Sequence, residues 1–290
     1  MARVAFIGLG NMGGGMAANL AKHGHDVRAF DLSAAALDKA QGAGCLPVAT
    51  AAEAVVDAEA IVTMLPAGSH VESVYADAVF GRAEPSAILI DCSTIDVATA
   101  RRVAETAGAK GLAAVDAPVS GGIGAANAGT LTFMVGGAQD AFDRARPFLA
   151  DMGKAVIHAG ASGAGQAAKM ANNMLLGATM IATCEAFKLA ERLGLDAQTF
   201  YDISSVSSGQ SWSMTSYCPV PGVGPETPAD HDYQGGFAAA LMLKDLRLAM
   251  QAAEGAGATT PLGAHATQVY EAFVAAGNGG TDFSGIIRTL

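Results

Sequence analysis

Short apolar runs alternate with amphipathic stretches through the first half of the chain. The runs Val4–Gly8, Val27–Asp31, Ala60–Leu65, Ala87–Asp91 and Ala113–Asp116 are rich in Val, Ile and Leu and predict strands. Between them, Gly14–His23, Ala34–Ala43 and Val97–Ala107 repeat apolar positions at helical spacing. Strand and helix in strict alternation predict βαβ units and a mostly parallel sheet. A further strand pair, Leu131–Gly136 and Ala155–Ala159, brackets a helix at Ala138–Ala150. From Gly163 onward no strand pattern survives. Gly165–Leu193 reads as one long helix, apolar on most faces and interrupted by Lys169, Asn172, Asn173, Glu185 and Lys188. A helix apolar nearly all round is a buried one, and this one is expected to run between two domains. Further helices are predicted at Ala197–Ile203, Gly236–Gly255 and Pro261–Ala276. The expected division is a domain over residues 1–162 and an all-α domain over 163–290. The stretch Ser216–Tyr233, with four prolines, is a long loop of the kind that is functional or disordered.

Composition narrows the class. Hydrophobic residues make up 51% and charged residues 15%, enough for a large core and too few charges for disordered tails. The net charge of −10 disfavours a nucleic-acid backbone as partner. Cys45, Cys92, Cys184 and Cys218 lie far apart and form no C-x-x-C pair, so reduced, buried thiols in a cytoplasmic protein are expected. The opening MARVAFIGLG runs straight into a glycine motif and predicts a first strand, not a signal peptide. The apolar stretch Met174–Thr183 is too short to span a membrane, which takes about 20 residues.

Candidate chemistry begins at Gly8-Leu9-Gly10-Asn11-Met12-Gly13. This is G-x-G-x-x-G placed directly after a strand and opening a helix, the context that makes the pattern meaningful. The first glycine allows the turn, the second lets backbone approach a pyrophosphate, and the third lets helix and strand pack. The second strand ends at Asp31, 18 residues after Gly13, where a carboxylate accepts from ribose hydroxyls and repels a 2′-phosphate. No Lys or Arg lies in Leu32–Asp38, so NAD is expected over NADP. The fold class that follows is an α/β Rossmann-type dinucleotide-binding domain, then an all-α C-terminal domain, joined by a long interdomain helix.

Three further constellations stand out. Asp116-Ala117-Pro118-Val119-Ser120-Gly121-Gly122 follows a strand, and its backbone N–H groups with the Ser120 hydroxyl could hold a carboxylate. Lys169 and Asn173 are one helical turn apart and share a face. The chain has only seven lysines, and an otherwise apolar helix is expected to turn Lys169 toward a cleft. A partly desolvated amine exchanges protons more readily near neutrality. Lys244-Asp245 lies inside the helix predicted after Gly235-Gly236-Phe237 and by itself reads as a charge pair.

Taken together, the motifs resemble the β-hydroxyacid dehydrogenase family over essentially the whole chain. They are GLGNMG with MAANLAKHGH (Gly8–His25), MLP (Met64–Pro66), DCST (Asp91–Thr94), DAPVSGG (Asp116–Gly122), GxGxxxKxxNN (Gly163–Asn173) and LKDL (Leu243–Leu246). SSGQSW (Ser207–Trp212), YCPVPGV (Tyr217–Val223) and DFSG (Asp282–Gly285) resemble the 3-hydroxyisobutyrate branch of that family. The resemblance implies Lys169 as the catalytic lysine, with Asn173 as its helical partner. It implies Ser120, Gly121 and Gly122 as the substrate-carboxylate loop and Trp212 and Tyr217 as pocket lining. Leu65, Pro66 and Thr94 would line the nicotinamide half of the site. Phe237 and Lys244 would close over cofactor and substrate, with Asp245 beside them. Two positions depart from the pattern. Gly15 replaces a proline common in relatives, which should loosen the first helical turn, and His70 replaces an asparagine.

The implied reaction is NAD-dependent oxidation of 3-hydroxyisobutyrate to methylmalonate semialdehyde, with no metal required because the lysine supplies the electrophile. Rival readings are a relative acting on tartronate semialdehyde, serine, 3-hydroxypropionate or succinic semialdehyde, or a non-catalytic NAD-binding module. Expected partners are a small 3-hydroxy acid and further copies of the chain as a homodimer or homotetramer. Neither nucleic acid nor membrane is expected.

Overall fold

Strand β1 (Arg3–Ile7) is covered on both faces: Val4 and Phe6 join one hydrophobic cluster, Ala5 and Ile7 another. The strands Ala60–Thr63 and Ile88–Asp91 divide in the same way, Val62 and Ile90 to one side, Ile61 and Leu89 to the other. Continuous apolar runs are what a parallel sheet with helices on both faces demands. A computed structural model describes residues Met1–Leu290. It resolves into two compact units, Met1–Lys169 and Met170–Leu290.

In the first unit, β1 is followed by α1 (Gly13–Lys22), β2 (Asp26–Phe30), α2 (Ala34–Gly42), β3 (Leu46–Pro47), α3 (Ala51–Val55) and β4 (Ala60–Thr63). Next come α4 (Gly68–Val74), β5 (Ile88–Asp91), α5 (Val97–Ala109), β6 (Ala113–Asp116), β7 (Val119–Ser120) and α6 (Gly122–Ala128). Then follow β8 (Leu131–Gly136), α7 (Gln139–Ala150), β9 (Gly153–Gly160) and the start of α8 (Ala164–Arg192). The sheet order is β3-β2-β1-β4-β5-β6, all parallel. Beyond it β6 and β7 run antiparallel to one edge of β8, and β9 pairs parallel with β8. This is the Rossmann-type arrangement the alternation predicts. All five parallel strands that carry motif residues therefore release their loops at one edge of the sheet.

The second unit continues α8 and adds α9 (Ala197–Ser204), α10 (Trp212–Thr215), α11 (Ala239–Gly255) and α12 (Pro261–Phe273). Its core includes Met180, Phe187, Met242, Leu246, Tyr270, Phe283 and Ile286. The unit is all-helical, and α8 is the long helix in which the two units join. No helix is long and apolar enough to cross a membrane. All four cysteines are buried and unpaired.

Several predicted boundaries shift, for physical reasons. The strands stop at Ile7, Phe30 and Thr63, so Gly8, Asp31 and Leu65 stand on loops. Gly8 at φ +97° leaves the extended region. Helix α11 starts at Ala239, because Gly235 and Gly236 take left-handed φ values of +80° and +63°. The short elements β3, α3, α4, β7, α6 and α10 show too few periods to be read from pattern. The long loop Ser216–Tyr233 is cross-braced: Tyr233 Oη donates to the Pro219 carbonyl, Thr227 Oγ1 to the Cys218 carbonyl, and Gly222 N to Asp230.

Candidate active site

The glycine motif sits in the turn between β1 and α1. A Cβ on Gly8 would meet the Met64 carbonyl, and one on Gly13 would meet the Gly8 carbonyl. A Cβ on Gly10 would meet nothing within 4 Å. Gly8 and Gly13 are thus required by the protein's own packing, whereas Gly10 leaves a backbone surface bare for something else to approach. Helix α1 behind it has no side-chain cap and no acid in its first turn. Its amide groups and positive dipole end face that approach, the arrangement that binds phosphates.

Asp31 closes one side of the turn. Its Oδ2 accepts from Leu9 N at 2.6 Å and its Oδ1 from Ser33 N at 2.8 Å. The carboxylate therefore holds the glycine turn itself, and each oxygen keeps a second lone pair for a ribose hydroxyl. Asn11 is exposed, and Met12 is half-buried against the core on the α1 side of the sheet.

The next two loops are tied together through a buried acid. Thr63 Oγ1 donates to Asp91 Oδ1 at 2.8 Å, as do Ser93 N at 3.1 Å and Ser93 Oγ at 2.6 Å. Ser93 Oγ in turn accepts from Leu65 N at 2.8 Å. The MLP loop, with Leu65 and Pro66, is thereby fixed to the DCST loop carrying Thr94. Burial pushes the Asp91 carboxyl up to about 6, against the downward pull of its Ser93 and Thr63 donors. Asp91 pairs in register with Asp116 on β6, a second buried acid whose carboxyl burial also raises.

Asp116 anchors the beginning of α8. Its oxygens accept from Gly163 N at 2.7 Å and Gln166 N at 2.9 Å. The Gln166 side chain, fully buried, donates from Nε2 to the Ser93 carbonyl at 2.7 Å and accepts from Ile95 N at 3.1 Å. Lys169 follows three residues later and is 8% exposed. Ser120 closes β7, and Gly121, at φ +135°, and Gly122, at φ +72°, turn the chain into α6. Within this unit the structure links the glycine turn with Asp31, the MLP loop with the DCST loop, and the latter with the start of α8.

In the helical unit the candidate residues fall into two groups. Asn173 is buried and donates from Nδ2 to Asp245 Oδ2 at 2.6 Å, while Lys244 Nζ stands 3.5 Å from Asp245 Oδ1. Trp212 stacks on Tyr217 with ring centroids 4.8 Å apart, and Phe237 and Tyr217 both pack on Phe283. Buried Asp282 accepts from Tyr217 Oη and Phe237 N, which fixes both. Trp212 is half exposed.

Pattern reading missed Asp91, Ser93, Gln166 and Asp282 as positioning groups. Asp91 and Ser93 lie in the DCST motif, and Gln166 is a polar residue at the head of an apolar helix, the signal that could have found it. Gly15 has a reason the sequence does not disclose. A Cβ there would lie 2.4 Å or less than 3 Å from the Asn127 side chain and backbone of α6 — the contact distance shows that α6 approaches α1 closely, and Asn19 bridges them through the Gly15 and Ala126 carbonyls. His70 is exposed on α4.

Comparison with known proteins decides the family. The model for the NAD binding domain of 6-phosphogluconate dehydrogenase matches residues 3–182. The model for the NAD-binding region of NADP-dependent 3-hydroxyisobutyrate dehydrogenase matches residues 163–290. A 3-hydroxyisobutyrate dehydrogenase of Pseudomonas aeruginosa is 49% identical, over 99% of this chain and 97% of its own. The chain belongs to the β-hydroxyacid dehydrogenase family. An NAD-dependent L-serine dehydrogenase of Pseudomonas aeruginosa is 45% identical over 98% of this chain and 96% of its own. Among solved structures, the 3-hydroxyisobutyrate dehydrogenase of Mycobacterium tuberculosis with L-serine superposes with a TM-score of 0.95. It is 48% identical and covers 100% of this chain and 99% of its own.

This β-hydroxyacid dehydrogenase is an NAD-dependent oxidoreductase of hydroxy acids. The residues present are compatible with a dinucleotide: Gly10 leaves backbone bare, α1 starts without a side-chain cap or an acid, and the Asp31 oxygens keep lone pairs beside the turn.

Proposed function

We propose that the enzyme oxidises 3-hydroxyisobutyrate to methylmalonate semialdehyde, with NAD preferred over NADP. The observation that carries this reading is a buried lysine, Lys169, one helical turn before a buried asparagine, Asn173, that is oriented by Asp245. NAD, when bound, supplies the hydride acceptor. Lys169 takes the hydroxyl proton at Nζ as the alcohol is oxidised, and in the reverse direction its charge polarises the carbonyl. Ser120, Gly121 and Gly122 hold the substrate carboxylate through backbone N–H groups and a hydroxyl. Asn173 holds the substrate beside the lysine. With both ends of a three-carbon acid pinned, the group on the middle carbon decides specificity. Trp212 and Tyr217 provide an apolar wall that favours a methyl there, worth about 10–200-fold over its absence. Leu65, Pro66 and Thr94 serve the nicotinamide, and Phe237 and Lys244 are further cofactor-binding residues.

L-Serine is the second reading. An L-serine dehydrogenase among the relatives and the serine complex of the Mycobacterium tuberculosis enzyme support it. So does the Asp245 carboxylate beside Asn173, a partner for an ammonium. Against it, Asp245 already receives Asn173 and stands near Lys244. The test is kcat/KM for (S)-3-hydroxyisobutyrate, 3-hydroxypropionate and L-serine with each cofactor. The first should lead with NAD; serine in front would move the enzyme to the neighbouring branch. Exposed Leu189, Leu193, Ile203 and Val206 support self-association as a dimer or tetramer, to be read by light scattering.

A further inference from the structure

We infer that Gln166 is the positioning residue for Lys169, clasping the first turn of α8 to the backbone of the Ser93–Ile95 loop. The inference rests on the reading of Lys169 as the acid/base. Three connections meet at Gln166. Its backbone N–H donates to Asp116 Oδ2, its Nε2 donates to the Ser93 carbonyl, and its Oε1 accepts from Ile95 N. The side chain is 0% exposed. A buried amide is costly unless both its ends are paired, and here both are paired to one loop. Gly165 closes the joint: a Cβ there would meet the Met134 carbonyl and the Asp116 backbone and carboxylate. The helix head can therefore neither slide nor roll against β6 without breaking bonds.

Lys169 lies three residues farther along the same helix, a rise of about 4.5 Å and a turn of about 60° from Gln166. Its amine sits at the end of a four-carbon chain with many rotamers. The helix head sets where that chain starts. The Ser93–Ile95 loop also carries Thr94, which the family resemblance places at the nicotinamide. One side chain thus references the proton-transfer group and the cofactor wall to each other. Reaction geometry is that sensitive: a displacement near 1 Å can cost about 10²-fold.

Two substitutions test this. Gln166→Met keeps length and volume but leaves the Ser93 carbonyl and the Ile95 amide without their partner. Gln166→Glu keeps the acceptor for Ile95 N, and it donates to the Ser93 carbonyl only when protonated. In the apo protein, hydrogen exchange should speed up at Ile95 and across residues 163–169 in Gln166→Met. In the holoenzyme, kcat should fall by about 10–100-fold, while the KM for NAD stays within about threefold because the glycine turn and Asp31 are untouched. Gln166→Glu should recover activity as pH is lowered, a limb absent from the wild type and from Gln166→Met. A kcat within about twofold of wild type in Gln166→Met overturns the inference, as does a loss shared equally by kcat and NAD affinity. If one variant does not fold, the other decides: Gln166→Met by its kcat, and Gln166→Glu by whether activity recovers as pH is lowered, a flat profile at wild-type kcat overturning the inference. Lys169→Ala, measured alongside, separates the two claims. An active Lys169→Ala sinks the lysine reading itself. An inactive Lys169→Ala beside a fully active Gln166→Met sinks only the role of Gln166.

Discussion

Asn173 donates its amide to Asp245 Oδ2 at 2.6 Å, so the orientation of one proposed substrate-binding residue is set by a buried acid on another helix. Lys244 flanks the same carboxylate. Asp245→Ala should raise the substrate KM by about tenfold or more, the cost of freeing a positioned hydrogen-bond donor, and leave the KM for NAD nearly unchanged. Asp245→Asn keeps an acceptor for Asn173 and should recover most of the loss. Steady-state kinetics on both variants check this; equal effects on the two KM values would count against it.

Gly10 and Gly13 should separate binding from folding. A methyl at Gly10 points into open space, so Gly10→Ala should keep the wild-type Tm and lose NAD affinity. A methyl at Gly13 runs into the Gly8 carbonyl, so Gly13→Ala should lower the Tm of the apo protein. Calorimetry of both variants, with NAD titration of the first, reads the difference. A destabilised Gly10→Ala that still binds NAD normally would reverse the assignment.

Asp31 bears on cofactor choice. Its charge opposes a 2′-phosphate, and NAD should be preferred by at least about tenfold in kcat/KM. Asp31→Ser should narrow that ratio. Because Asp31 also holds Leu9 N, the variant should raise the KM for NAD as well. Equal use of NAD and NADP by the wild type would remove the argument.

Asp91 makes stability depend on pH in a defined direction. An unfolded aspartate titrates near 4, and the folded Asp91 at about 6. Between those values the native state holds the extra proton, so this group's contribution is full below about 4 and is lost as pH rises through about 6. Asp91→Asn keeps an acceptor for Thr63 and Ser93 and cannot ionise. Its stability relative to wild type should improve from pH 4 to pH 8, measured by denaturant unfolding at each pH. A difference that stays flat with pH would show that Asp91 does not titrate in this window.

Much of this site is legible in the residues themselves. The glycine turn, Asp31 and the βαβ alternation are local signals: each is set by neighbours in sequence, and a mostly parallel sheet follows from the alternation, whereas the strand order does not. Lys169 and Asn173 share a helix face by spacing alone. What the sequence does not carry is pairing across long separations. The Asn173–Asp245 bond, the Asp91–Ser93–Leu65 relay and the Asp282 clasp on Tyr217 and Phe237 join segments whose proximity only the fold creates. Gly15 shows the same limit. The expected loosening of the helical turn is a local effect, and the close approach of α6 at the same position is visible only in the fold.

The most direct test is Lys169→Ala, with NAD binding followed by calorimetry alongside turnover of (S)-3-hydroxyisobutyrate. Removing a general acid–base group costs about 10²–10⁴-fold, and losing the charge that polarises the carbonyl adds to that. In Lys169→Ala kcat should fall by at least about 10²-fold with NAD affinity and Tm close to wild type. A folded variant whose kcat stays within about tenfold of wild type would contradict it.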